Sequence, residues 1–140
     1  MSNKQSRVDM EFVPDEEALA LKELGFNEPC CKYIYLGDTG NNLDLNLETE
    51  PSKSINFNSD SLCVSRPTFS QAFRWFRENY KLEPEVLSDM MGYVCSIVDR
   101  NKPLKTSLTP SNLFQTYEEA ELVCLRRLIE IVKGKQNDQK

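Results

Sequence analysis

Pro67-Thr68-Phe69-Ser70-Gln71-Ala72-Phe73-Arg74-Trp75-Phe76-Arg77-Glu78-Asn79-Tyr80 holds the only tryptophan of the chain and three of its seven phenylalanines. Thr68 and Gln71 have the S/T-x-x-Q spacing of a capping box, in which each side chain satisfies an orphan backbone N–H at a helix start. Phe69, Ala72, Phe73, Phe76 and Tyr80 then recur at i, i+3, i+4, i+7 and i+11, which is one apolar helical face. This predicts a helix from Thr68 to Tyr80, ending before Glu83-Pro84 because proline pushes the residue ahead of it out of the helical region. At about 100° per residue, Trp75 falls roughly 120° from the centre of the apolar face, beside Gln71, Glu78 and Asn79. Arg74 and Arg77 lie on the opposite flank. An indole off the core stripe is either a contact residue or packed under a neighbouring loop, and both readings stand at this point.

Upstream, Pro14-Asp15-Glu16-Glu17 places proline and three acids where the positive end of a helix dipole favours them. Ala18, Leu21 and Leu24 form a short stripe. Gly25 follows as a left-handed cap, with Phe26 placed to fold back on Leu21 in a Schellman motif. Cys31-Lys32-Tyr33-Ile34-Tyr35-Leu36 has strand composition, and Gly37 to Asn42 is dense turn chemistry. Leu43, Leu45 and Leu47 alternate with Asp44, Asn46 and Glu48, which predicts a hairpin partner with one buried face. Ile55 and Phe57 alternate with asparagines as a third strand, and Leu62-Cys63-Val64 would make a fourth short one.

Downstream, Val86, Leu87, Met90 and Met91 have helical spacing, but Pro84 and Gly92 confine them to at most two turns. Tyr93 to Val98 reads as a strand, Asp99 to Pro103 as a turn, and Leu104 to Leu108 as a segment pairing back. Thr109 to Asn112 is a loop. Thr116 and Glu119 repeat the capping-box spacing and open a helix to about Val132, with Gly134 as its stop. Its apolar residues cover well over half the circumference, which implies burial between layers or against a partner. Arg126 and Glu130, four residues apart, make a candidate ion pair. The whole predicts an α+β domain: a small, mostly antiparallel sheet with about three helices packed on it, in the order α-β-β-(β)-α-β-β-α. Residues 1–11 and 135–140 are expected to be flexible tails around a single domain over residues 12–134.

At 140 residues with 39% hydrophobic and 28% charged residues, the chain is long enough for one real core without metals or staples. No apolar run is long enough to cross a membrane, and Met1 to Arg7 has no secretory h-region, so a cytoplasmic protein is expected. Cys30, Cys31, Cys63, Cys95 and Cys124 form no C-x-x-C pair and read as free thiols. Histidine is absent, which removes the commonest general base and zinc ligand. Residues 1–66 carry 6 basic against 12 acidic side chains, and residues 67–140 carry 11 against 10. The acidic first half disfavours broad binding to a phosphate backbone.

Candidate chemistry is sparse. Asp38-Thr39-Gly40-Asn41-Asn42-Leu43-Asp44 spaces oxygen ligands like a calcium loop, but the required glycine and glutamate positions hold Leu43 and Thr49. No nucleophile elbow, phosphate loop or metal-spaced cysteine set occurs, so no catalytic residue, cofactor or metal is assigned. The residues with contact chemistry are Arg74, Trp75 and Arg77 on one helix and Arg126 on the last. With Arg66, Lys81, Arg127 and Lys133 they would suit a nucleic-acid face, the tryptophan stacking on a base.

Three blocks resemble a family of small bacteriophage and prophage proteins: Glu17 to Cys30, Pro67 to Glu78, and Thr116 to Leu122 continuing through Leu128 to Val132. They coincide with the three predicted helices and occur in the same order. The resemblance implies a bacterial host cytoplasm and a mobile-element gene, and it implies no activity or catalytic residue. The leading expectation is a non-enzymatic module that binds a host or phage protein, or itself. The alternatives are a nucleic-acid-binding accessory protein using the Arg74/Trp75/Arg77 helix, and a small carboxylate-dependent enzyme.

Overall fold

The structure is a computed structural model that describes residues 9–36, 45–102, 106–107 and 113–138. The chain divides into two compact units, residues 1–68 and 69–140, each described by itself. The α+β class, the three helices and the antiparallel pairing are all present, with the strands shared between two three-stranded sheets.

In the first unit, α1 (Asp15–Leu24) opens after Pro14 with Asp15, Glu16 and Glu17 in its first turn. Gly25 ends it at φ 99°, its N–H donating to the Lys22 carbonyl at 3.0 Å while the Phe26 N–H donates to the Leu21 carbonyl at 3.0 Å. That is the Schellman closure the sequence predicts, and it delivers Phe26 to the core at 1% exposure. The sheet has β1 (Lys32–Tyr35) at its centre, between β2 (Leu45–Glu48) and β3 (Cys63–Ser65), both antiparallel to it. Ile34 and its cross-strand partner Val64 are both buried, and α1 packs on β3. The Lys22 amine donates to the Asp60 and Cys63 carbonyls at 2.9 and 2.6 Å, tying the end of α1 to the chain entering β3.

Several expectations change here. Residues 9–11, assigned to a tail, form a 3-10 turn, and Phe12 bridges to Thr68. Ile55 and Phe57 make no third strand. Ile55 only bridges Cys30, and Phe57 opens a 3-10 turn over Phe57–Ser59 whose buried ring stacks on Tyr33 at 3.9 Å. Local hydrogen bonds explain the turn: the Asn56 side chain accepts from the Asn58 N–H, and Asn58 bonds the Phe26 carbonyl and the Ser65 N–H. Leu47, expected to face inward, is 38% exposed. The predicted turn at Gly37–Asn42, with Leu43 and Asp44, lies outside the described residues, as does the loop at Thr109–Asn112.

In the second unit, α2 (Phe69–Tyr80) and α3 (Tyr117–Asp138) pack on one another and both meet the sheet formed by β4 (Leu82–Asp89), β5 (Gly92–Asp99) and β6 (Thr106–Ser107). Strand order is β4-β5-β6, all antiparallel. Residues 84–91, where helical spacing allowed up to two turns, instead supply most of β4 and a hairpin tip at Met90-Met91. Pairing along all eight residues of β5 outweighs the local spacing. Pro84 is tolerated because β4 is an edge strand, where one side of the ladder needs no donor. The core is built from Leu82, Cys95 and Ile97 of the sheet with Phe73, Phe76, Leu125 and Leu128 of the helices. The Thr116 hydroxyl accepts from the Glu119 N–H at 3.1 Å, one half of the predicted capping box. At the other end, α3 runs past Gly134 to Asp138, beyond its predicted stop.

Candidate functional site

Trp75 is 3% exposed. Its ring meets Phe76 and Tyr80 edge-on, with centroids at 5.1 and 5.3 Å. The helical wheel puts it off the stripe, but α2 is covered along a wider arc because it packs against both β4 and α3. A buried indole offers no face to a partner or a base, so the nucleic-acid arrangement loses its stacking residue. Arg74 and Arg77 are exposed on α2, and Arg126 is exposed on α3. The ion pair on α3 that engages Glu130 comes from Arg127, three residues away at 3.1 Å. Arg66 belongs to the first unit, is buried, and donates from Nε to the Val13 carbonyl at 2.7 Å.

The carboxylate reading leads to Asp99, the buried acid of the second unit. Its Oδ1 accepts from the Asn101 backbone and side-chain nitrogens at 2.9 Å each, and its Oδ2 faces the Lys135 amine at 3.5 Å. Burial pushes the Asp99 carboxyl up, but the Asn101 and Lys135 hydrogen bonds and the Lys135 charge outweigh it and hold the group below its ordinary value. An acid kept ionised and fully engaged closes the end of β5 onto α3; it is poorly suited to receiving a proton. Cys95 and Cys124 meet across β5 and α3 with neither exposed. Burial pushes the Cys124 thiol up to about 12, and Cys95 beside it adds to the rise, so neither is a nucleophile at neutral pH. Among the described residues no three cysteine, aspartate or glutamate side chains gather as metal ligands would. No helix among them is long and apolar enough to cross a membrane.

The second unit also exposes large apolar side chains. Met90 and Met91, at the tip between β4 and β5, are 102% and 81% exposed, and Leu87 beside them is 44% exposed. The turn at the tip is closed by Asp89, whose Oδ1 accepts from the Met91 N–H, and Gly92 follows at φ 154°. A Cβ at Gly92 would lie 2.6 Å from the Phe114 carbonyl oxygen, because Phe114 and Tyr93 exchange backbone hydrogen bonds at 2.8 Å each. The same bridge brings Leu113 (51% exposed) and Tyr117 (45% exposed) to the hairpin end, where Tyr117 meets the Tyr93 ring edge-on at 6.0 Å. Leu113 and Tyr117 thus stand at the end of the hairpin that carries Met90 and Met91, while Leu87 lies on the sheet face opposite Tyr93 and Tyr117. Sequence reading missed them by giving Met90 and Met91 a helical period. The signal present was Asp89-Met90-Met91-Gly92, with aspartate and glycine at the first and fourth positions of a turn.

No family model, no curated protein and no solved structure matches the chain.

Proposed function

We propose that this chain is a non-enzymatic binding protein and that it contacts another protein through the hairpin end of its second unit. The observation that carries the reading is the exposure of Met90 and Met91 at the tip between β4 and β5. Large apolar side chains held out in water at a hairpin tip mark an interaction surface, since their exposure costs solubility without adding to the core. Methionine suits the role because its flexible, polarizable side chain adapts to the shape it meets. The inert thiols and fully bonded Asp99 support the non-enzymatic half of the reading. In this reading the protein acts in the cytoplasm of a bacterial host, on a host or phage protein. Trp75 serves the fold, and the exposed Arg74, Arg77 and Arg126 lie outside the contact.

The test replaces Met90 and Met91 together by glutamine, at positions where burial offers no reason for the fold to suffer. Affinity capture from bacterial lysate with the wild type and with the double variant should show at least one protein retained only by the wild type. Identical captured sets, with both proteins giving the same circular dichroism, would exclude the hairpin as the binding surface.

A further inference from the structure

Resting on the reading just given, we infer that the partner protein docks an extended segment bearing lysine or arginine as a fourth strand on the outer edge of β4, the strand that leads into the Met90/Met91 tip. β4 is the edge of its sheet, and among the described residues no strand pairs with its outer side. In an antiparallel ladder a residue directs its N–H and carbonyl to one side, and the next residue directs them to the other. Tyr93 exchanges both of its backbone hydrogen bonds with Phe114 at 2.8 Å each, so its polar groups point away from β4. Its β4 partner Ser88 therefore stands in a non-hydrogen-bonded pair and directs its own N–H and carbonyl outward. By the same alternation Val86 does so too, together with the Pro84 carbonyl. Pro84 fits this phase, since the N–H it lacks would have pointed out of the sheet and not at β5. Glu85, Leu87, Ser88 and Asp89 are exposed, which leaves the end of β4 nearest the tip open to a new strand.

The side chains along this edge select the strand it takes. Glu83, Glu85, Leu87 and Asp89 alternate onto the sheet face opposite the one that carries the buried Leu82, Cys95 and Ile97. Arg100 holds Glu83 at 2.8 Å, and Glu85 and Asp89 flank Leu87. Acids on an edge strand guard it against copies of itself. A second β4 laid antiparallel about Leu87 would set Glu85 opposite Asp89 in both halves, and one laid about Val86 would set Glu83 opposite Asp89. Like charges directly opposite are destabilising. A strand with lysine or arginine opposite Glu85 and Asp89, and an apolar residue opposite Leu87, turns the same face into attraction. That alternating pattern is palindromic, so it serves a strand running in either direction. Main-chain hydrogen bonds to Val86 and Ser88 supply affinity, and the alternate side chains supply specificity.

The probe is a labelled extended peptide with valine at its centre, lysine two residues to either side and threonine elsewhere, titrated against the full chain by fluorescence anisotropy. One comparison peptide carries glutamate in place of lysine. The other carries N-methyl groups on the two threonines flanking the valine, whose nitrogens would donate to β4. The lysine peptide should bind saturably, with affinity falling as salt rises, and each comparison peptide should bind about tenfold more weakly. In hydrogen-exchange NMR, the lysine peptide should slow the outward Val86 and Ser88 amides and leave Leu87, which faces β5, as it was. Ser88→Pro removes an outward N–H, as Pro84 already does in the same strand. It should weaken the lysine peptide about tenfold and keep the circular dichroism of the wild type. Glu85→Lys should abolish the preference for lysine over glutamate, while Glu78→Lys, the same change at an exposed site of α2, should preserve it.

Equal effects of Glu85→Lys and Glu78→Lys would reduce the attraction to net charge and overturn the inference. So would undiminished binding of the N-methylated peptide, or unchanged exchange at Val86 and Ser88. The peptide comparisons use the wild-type chain alone and decide the matter even if Ser88→Pro fails to fold. A dimer in sedimentation that Ser88→Pro abolishes would make a second copy the occupant, against the inference. A Ser88→Pro chain that captures the same bacterial proteins as the wild type, where Met90→Gln/Met91→Gln captures fewer, would also overturn it and leave binding at the hairpin tip standing. The opposite failure reads differently: the peptides behave as expected while the methionine double variant captures the full set, so that β4 takes a strand and the methionine tip is not the contact.

Discussion

Asp99 shows what one buried charge contributes when both of its oxygens find donors. Its side chain is 2% exposed, yet hydrogen bonds from Asn101 and the Lys135 amine keep it ionised. The folded-state value lies below the ordinary aspartate value of 3.8. Stability from this group is therefore complete above about pH 5, where the unfolded-state carboxyl is itself ionised, and is lost as pH falls through the lower folded value. Asp99→Asn should destabilise the protein by about 1.5–3 kcal/mol at pH 7, the range for hydrogen bonds to a charged group. In urea titrations the gap between wild type and variant should hold from pH 7 to pH 5 and shrink towards pH 3. A gap that persists undiminished at pH 3 would show that packing, not ionisation, is what the variant lost. At the same scale, Trp75 and Met90 show that side-chain size does not set burial. The indole is covered because two elements meet around its helix, while the methionine is bare because it sits at a turn.

At the scale of elements, ends and edges decide the departures from local pattern. Gly25 stops α1 because it takes a positive φ that lets Phe26 turn back into the core. Gly134 stands one turn before the end of α3 and stops nothing. Lys135, just beyond it, reaches Asp99, and Gln136 reaches the Tyr80 hydroxyl at 3.5 Å, so tertiary contacts hold the last turn helical. A Cβ at Gly134 would meet nothing within 4 Å. Gly134→Ala should therefore stabilise the protein by about 0.5–1 kcal/mol, the helix-interior difference between the two residues. The urea midpoint should rise with an unchanged slope. A midpoint that falls would mean the C-terminal turn is not helical in solution. In β4 the outcome has the same origin, since the partner strand imposes an extended chain on a segment whose own spacing is ambiguous.

At the scale of the whole molecule, the buried apolar residues fall into two sets, one on either side of the junction at Thr68 and Phe69. The set in residues 69–140 includes Trp75, the Leu125, Leu128, Ile129 and Val132 side chains of α3 and the interior of a hairpin of two eight-residue strands. That is enough apolar area to predict that residues 69–140 fold alone, though at about 70 residues only marginally. Expressed separately, this segment should give a helix-rich circular dichroism spectrum and a cooperative thermal transition. A featureless melt would show that its core needs the rest of the chain.

The amino-acid sequence by itself determined what nearest neighbours along the chain can enforce. The Pro14 start and Gly25 stop of α1, the Phe69/Phe73/Phe76 stripe and the Thr116 cap all depend on residues within one helical turn. So did the α+β class, which follows from the order of those signals. Tertiary structure alone decided the sharing of strands between two sheets, the extended course of residues 84–89 and the continuation of α3 past Gly134. It also decided the burial of Trp75 and the gathering of Met90, Met91, Leu113 and Tyr117 at one end of the second unit. Each of these depends on a partner far away in the chain, and periodicity carries no information about which partner will be there.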